Sequence, residues 1–135
     1  MAVTKRNIIS CCVAPPTGPY SHAVLADNVV YVSGTFGIDR RTGEFVCGGT
    51  GEEFRQALRN MRTVLKEAGS DFDKVVKVNI ILRNMKDLCI INNIYKEYFY
   101  ELPYPARTIH QGKLPMSAAV EIEAVALSGP VDLGE

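Results

Sequence analysis

Two segments of this chain carry apolar residues at helical spacing, and they are set among six segments that read as strands. In the first, Phe54, Ala57, Leu58, Met61, Val64, Leu65 and Ala68 fall on one helical face. Thr50 followed by Glu53 fits a capping box ahead of that run, and Gly69 supplies a stop. The second helix is predicted from Met85 to about Tyr100, opened by Asn84 and Asp87, with Leu88, Ile91, Tyr95, Tyr98 and Phe99 as its stripe. Strands are expected over Lys5–Ser10, Tyr20–Leu25, Val29–Ser33, Asp73–Arg83, Arg107–Gln111 and Ala119–Leu127. Pro15-Pro16-Thr17-Gly18-Pro19 makes a rigid turn, Asp27-Asn28 signals a hairpin, and Gly37 to Gly49 reads as a loop. The order is therefore β-β-β-α-β-α-β-β. Two helices cannot cover both faces of a six-stranded sheet, so they are expected on one face, leaving the other for a partner. On the last strand Val120, Ile122, Ala124 and Ala126 share one side, and Glu121, Glu123, Val125 and Leu127 share the other. In the fourth strand Val76, Val78, Ile80 and Leu82 are expected to share a face.

At 135 residues the chain is one α+β domain, 1–135, without room for two ordinary cores. Its 47% hydrophobic and 22% charged content is that of a globular chain and not of a disordered one. Fifteen basic and fifteen acidic residues cancel, so no electrostatic argument points to nucleic acid or an anionic membrane as main partner. Arg40-Arg41, Arg55, Arg59 and Arg62 cluster in sequence, which surface exposure explains equally well. No segment has the length of a signal h-region or the roughly 20 apolar residues of a membrane span. A cytosolic or mitochondrial location is expected. Cys11, Cys12, Cys47 and Cys89 form no CxxC pair, and with only His22 and His110 to assist them they make no zinc pattern. Free thiols and no bound metal are expected.

The chemistry concentrates near the C-terminus, in Tyr104-Pro105-Ala106-Arg107, Leu114-Pro115 and Val120-Glu121-Ile122-Glu123-Ala124. Pro105 fixes its own φ and keeps Tyr104 out of helical geometry, so Arg107 opens a strand. An arginine held there offers a planar fork of N–H donors that suits a small carboxylate. A nearby glutamate can then handle protons or water. The plainer alternative is an edge arginine in a surface ion pair beside two solvated glutamates. Strand alternation sends Arg107 and Ile109 to one side and Thr108 and His110 to the other, which favours a structural His110 over a general base. Gly48-Gly49-Thr50-Gly51 lacks the lysine of a phosphate-binding loop.

These C-terminal motifs, with Gly18-Pro19-Tyr20-Ser21, Val30-Tyr31-Val32-Ser33-Gly34, Gln56-Ala57-Leu58-Arg59-Asn60-Met61 and Ile91-Asn92-Asn93-Ile94-Tyr95, resemble the Rid/YjgF family of reactive-intermediate deaminases in order and spacing. The resemblance runs from about Ile8 to Pro130. It implies a chorismate-mutase-like fold, a homotrimer with ligand clefts between subunits, and hydrolysis of short 2-imino acids to 2-oxo acids and ammonia without a cofactor. Carried over residue by residue, it makes Arg107 the carboxylate anchor and Glu121 the acid that activates water or delivers a proton. Tyr20, Ser33, Gly34 and Asn92 line the substrate cleft. The chain departs from the family pattern at Thr35, Thr108, Ile109 and His110, and its 14-residue interval from Arg107 to Glu121 is one shorter than in the deaminating members. Two other readings accompany the deaminase. One is a non-catalytic trimer that binds small carboxylates or unfolded clients. The other is a ribonuclease or translation inhibitor, which the neutral charge and the lack of a His–His or His–Lys pair do not favour.

Overall fold

The computed structural model describes residues 1–132. Eight elements follow in the expected order: β1 Lys5–Ile8, β2 Ala23–Ala26, β3 Val29–Thr35, α1 Thr50–Glu67, β4 Val75–Leu82, α2 Leu88–Tyr98, β5 Ala106–Gln111 and β6 Val120–Leu127. They build one mixed sheet in the order β1-β2-β3-β6-β4-β5. Every pairing is antiparallel except β4 with β5, which α2 connects as a parallel crossover. Strand β6, the last of the described strands, fills the slot between β3 and β4. No helix among the described residues is long and apolar enough to cross a membrane.

The core lies between the helices and one face of the sheet. Phe54, Leu58, Met61 and Leu65 of α1 are fully buried, and α1 packs on β3, β6 and α2. Val120, Ile122, Ala124 and Ala126 of β6 meet them, with Glu121, Glu123, Val125 and Leu127 on the opposite face. That second face is only partly covered, and Tyr31 of β3 is 52% exposed on it. The β2–β3 turn is the two-residue hairpin at Asp27-Asn28, with Asp27 at φ 51° and its carboxylate accepting from the Thr4 N–H at 2.9 Å. Helix α1 ends in a Schellman pattern: Gly69, at φ 77°, donates to the Lys66 carbonyl and Ser70 to the Leu65 carbonyl.

Four expectations are corrected. Gly49, not Thr50, stands at the N-cap of α1, without a side-chain cap. Thr50 Oγ1 instead donates to Asp87 Oδ2 at 2.7 Å, and Glu53 Oε1 accepts from the Ala119 N–H at 3.0 Å. The two residues of the expected capping box thus tie α1 to the start of α2 and to the entry of β6. In β4 the register shifts between Val75 and Lys77, and this bulge turns Val76 out to 43% exposure while Val75 takes its place in the core. The second helix begins as a 3-10 turn over Met85–Asp87, where the Asn84 side chain accepts from the Lys86 N–H, and α2 itself ends at Tyr98. Finally, β2 starts at Ala23, so Tyr20 sits in the preceding loop.

Gly37 is buried directly against α1, and a Cβ there would stand 2.6 Å from Glu53 Cα. Neither backbone can yield without moving the helix start. Gly37→Ala is expected to lower stability by about 1–3 kcal/mol, the usual cost of overpacking. Urea denaturation checks this as a lower midpoint at unchanged slope.

Candidate functional site

Strand β3 loses its regular register between Val32 and Thr35, and the irregularity places Ser33 and Gly34 at the rim of a small cleft of about 60 Å³. Tyr20, Thr35, Phe36 and Met116 also line it. Ser33 Oγ donates to the Ser21 carbonyl at 2.7 Å, so its proton is committed and only its lone pairs remain for a ligand. Thr35 Oγ1 donates to the Ser33 carbonyl at 2.8 Å. Tyr20 is 44% exposed, and its hydroxyl lies 3.3 Å from the Thr17 nitrogen, which donates to it.

Two residues that sequence reasoning gave no site role hold this cleft together. His22 accepts from the Ser10 N–H at Nδ1 (3.0 Å) and donates from Nε2 to the Ala14 carbonyl (2.8 Å), which fixes its tautomer and fastens the loop before Tyr20. Asn60, buried on α1, donates to the carbonyls of Phe36 and Ile38, both at 3.0 Å, and so secures the chain as it leaves β3. The available signal for Asn60 was an amide on the buried face, three residues after Ala57 and four before Val64.

Glu121 stands on the partly covered face of β6 against Gly34. A Cβ at Gly34 would lie 2.7 Å from Glu121 Cδ, so a side chain there would displace the carboxylate from its present position. Partial burial, and then the charge of Glu123, raise the Glu121 pKa above the usual carboxylate value. Asn79 Nδ2 donates to Glu123 Oε1 at 3.1 Å. Ile81 pairs with Glu121 on one side and with His110 on the other, so His110 shares the Glu121 face and points away from Arg107, as alternation predicts.

Arg107 lies on the opposite side. Val78 pairs with Arg107 and with Ala124, which puts the arginine on the helix face of edge strand β5. Its guanidinium carbon is 4.6 Å from the centroid of the Tyr95 ring on α2. Asn92, one turn earlier on α2, has a buried Oδ1 without a hydrogen-bond partner among the described residues. Of the six sequence-predicted residues, Tyr20, Ser33 and Gly34 line the cleft and Glu121 stands against Gly34. Arg107, by contrast, lies on the opposite face of the sheet over Tyr95, one turn along α2 from Asn92. The short Arg107–Glu121 interval does not decide this separation. Both β5 and β6 take their register from β4, with Ile80 opposite Ile109 and Ile122, and the loop after β5 absorbs the length.

A larger cavity of about 440 Å³ lies at the α2–β5 connection, but it holds none of the six residues, and its Arg62 is already paired with Asp71 at 3.0 Å. Cys11, Cys12, Cys47 and Cys89 are free and exposed, and among the described residues no group of three or more His, Cys, Asp or Glu is placed to hold a metal ion.

The raised pKa of Glu121 has a sign that stability measurements can read. Below the unfolded-state value, near 4.5, the group is protonated in both states and costs nothing. As pH rises above it, ionisation favours the unfolded chain and stability is lost. Glu121→Gln is therefore expected to be more stable than wild type at pH 7, with the difference vanishing below about pH 4. Paired urea titrations across pH check it.

Comparison with known proteins bears on the fold and the family. The family model described as Endoribonuclease L-PSP matches residues 11–128. The 2-iminobutanoate/2-iminopropanoate deaminase of Homo sapiens is 47% identical over 133 residues, covering 97% of this chain and 96% of that protein. The RutC family protein UK114 of Drosophila melanogaster is 44% identical over 134 residues, covering 98% and 96%. Among solved structures, RidA from an Antarctic Psychrobacter superposes with TM-score 0.86 at 32% identity, covering 90% of this chain and 98% of that one. TdcF of E. coli, solved with bound serine, gives TM-score 0.85 at 28% identity over 92% and 99%. With the same sheet, the same two helices and a near-full-length match, this chain belongs to the Endoribonuclease L-PSP family, the Rid/YjgF proteins.

Proposed function

We propose that this chain hydrolyses short 2-imino acids, in equilibrium with their enamines, to 2-oxo acids and ammonia. The near-full-length identity with proteins named for that reaction carries the reading. An arginine with its fork of donors and an acid of raised pKa are the groups such chemistry needs, and the chain has both.

In this mechanism Arg107 grips the substrate carboxylate through paired N–H bonds. Glu121, protonated more readily than an ordinary glutamate, keeps the imine nitrogen protonated, which makes the carbon electrophilic. Water adds to that carbon as one of its protons passes through the Glu121 carboxylate to the nitrogen, which becomes an ammonium leaving group. The resulting carbinolamine loses ammonia as its hydroxyl proton passes to the Glu121 carboxylate, and the carbonyl forms. Ser33 lone pairs, the Gly34 backbone and the Tyr20 hydroxyl hold the attacking water and the reacting end of the substrate. Positioning of this kind supplies several kcal/mol without any covalent intermediate.

Since Arg107 and Glu121 occupy opposite faces of one sheet, a complete site takes them from different copies of the chain. The partly covered sheet face, with Tyr31 and Val125, gives copies a surface on which to meet, and we assign a homotrimer. Asn92 accompanies Arg107 from one copy, and the cleft residues accompany Glu121 from its neighbour. A reading as a carboxylate-binding protein without turnover shares the Arg107 grip, and a relative solved with serine bound favours such recognition. Turnover separates the two. Ammonia release should accelerate when the protein is added to freshly generated 2-iminopropanoate.

Two outcomes are expected in solution. Light scattering should give a particle of about three times 14.9 kDa, and a stable monomer at micromolar concentration removes the shared site. Arg107→Ala and Arg107→Lys should both lose about 2–4 kcal/mol of transition-state stabilisation, a fall of roughly 30- to 1000-fold in kcat/KM, because lysine lacks the fork. Glu121→Gln should lower kcat while carboxylates still bind. Mixing Arg107→Ala with Glu121→Gln subunits should restore part of the activity, since some interfaces then join two intact halves. Wild-type turnover by Arg107→Ala places the site elsewhere.

A further inference from the structure

Tyr95 has no part in the chemistry above, yet it is the side chain that Arg107 touches. It is 7% exposed, and its hydroxyl is buried without a hydrogen-bond partner among the described residues. Burial pushes its pKa up to about 12, with Arg107 opposing the shift. A hydroxyl left in that state contributes nothing favourable to the fold. The ring is placed differently. One neighbour is Phe99, stacked at 4.4 Å with an interplanar angle of 20°, and Phe99 is in turn held edge-on by Phe72 at 5.0 Å. The guanidinium carbon of Arg107 lies over the Tyr95 ring at 4.6 Å. Among the described residues, the Arg107 side chain makes no hydrogen bond or ion pair.

That combination is informative. An acidic partner would fix Arg107 by occupying the N–H donors that a ligand needs. An aromatic face fixes it while leaving the edge donors open, since a guanidinium is weakly hydrated on its faces and hydrogen-bonds in its plane. We propose that Tyr95 is the positioning residue for Arg107, an immobile aromatic platform that orients the guanidinium with its donors free for a carboxylate. The proposal rests on the assignment of Arg107 as the carboxylate grip. It makes the ring, not the hydroxyl, the working part. It also gives the α2 motif Asn92-Asn93-Ile94-Tyr95 a second task besides core packing: its tyrosine connects the buried aromatic cluster to the ligand side.

The test compares Tyr95→Phe with Tyr95→Leu in the full-length protein. The first readout is the NMR signal of the Arg107 Nε–H group, shifted by the ring current of an aromatic face and identified by its loss in Arg107→Lys. Tyr95→Phe should retain that shift, keep KM close to wild type and unfold at an equal or higher urea concentration. Tyr95→Leu should abolish the shift and raise KM roughly 3- to 30-fold, the range of a cation–π contact, with little change in kcat. In an Arg107→Ala background the Tyr95→Leu change should add nothing further. The proposal is overturned if Tyr95→Leu keeps the shift and KM, or if Tyr95→Phe fails as badly as Tyr95→Leu. Failure of the deaminase reading looks different: Arg107→Ala then turns over substrate as wild type does, and the Nε–H shift alone decides whether Tyr95 positions Arg107.

Discussion

The placement of β6 between β3 and β4 is the constraint on which everything else depends. Two antiparallel ladders, one on each side, fix its register, and a slip of a single residue would exchange Glu121 with Ile122 and turn the carboxylate into the core. The same ladders bring Gly34 against Glu121 from one side and Ile81 against it from the other. Strand β5 has no contact of its own with the cleft; its facing is inherited through β4. The separation of Arg107 from Glu121 is therefore a property of sheet topology and does not vary with the length of the loop that joins their strands.

Within one chain, that separation leaves Glu121 without a cation beside it. A cation beside Glu121 would stabilise its ionised form and pull its pKa down, as Arg55 does for Glu97, and as Arg62 does for Asp71 in addition to the larger effect of the Phe72 N–H. Glu121 meets burial and another carboxylate instead, and both favour the protonated form. Under the proposed mechanism the substrate arrives with a negative charge that Arg107 takes up. The anchor is then neutralised by the molecule it holds, and the acid keeps its proton affinity.

Much of this was legible in the sequence because it depends on local pattern. The element order, the buried face of α1, the two sides of β6 and the direction of His110 all follow from periodicity. What was not legible depends on bonds between distant residues. Thr50 looks like a helix cap until Asp87, 37 positions on, takes its hydroxyl, and Glu53 looks like its partner until Ala119, 66 positions on, takes its carboxylate. Val76 continues a regular alternation in β4, and only the pairing with β6 shows the bulge that expels it. For the site, family likeness marked the six residues, but their division between two faces, the committed proton of Ser33 and the supports from His22 and Asn60 required the fold.

A sheet whose interior strand is the last of its described strands cannot close until that strand has been made. Until residues 120–127 have left the ribosome, β3 and β4 each present an unpaired edge, and the apolar face of α1 lacks Ile122 and Ala124 beneath it. Such edges invite pairing with other nascent chains. Closure also joins segments far apart in sequence, which makes it a slow kind of event. A chain interrupted before Val120 loses far more than its last strand: it forfeits the join between the two halves of the sheet, and cellular quality control would meet it as an aggregation-prone fragment.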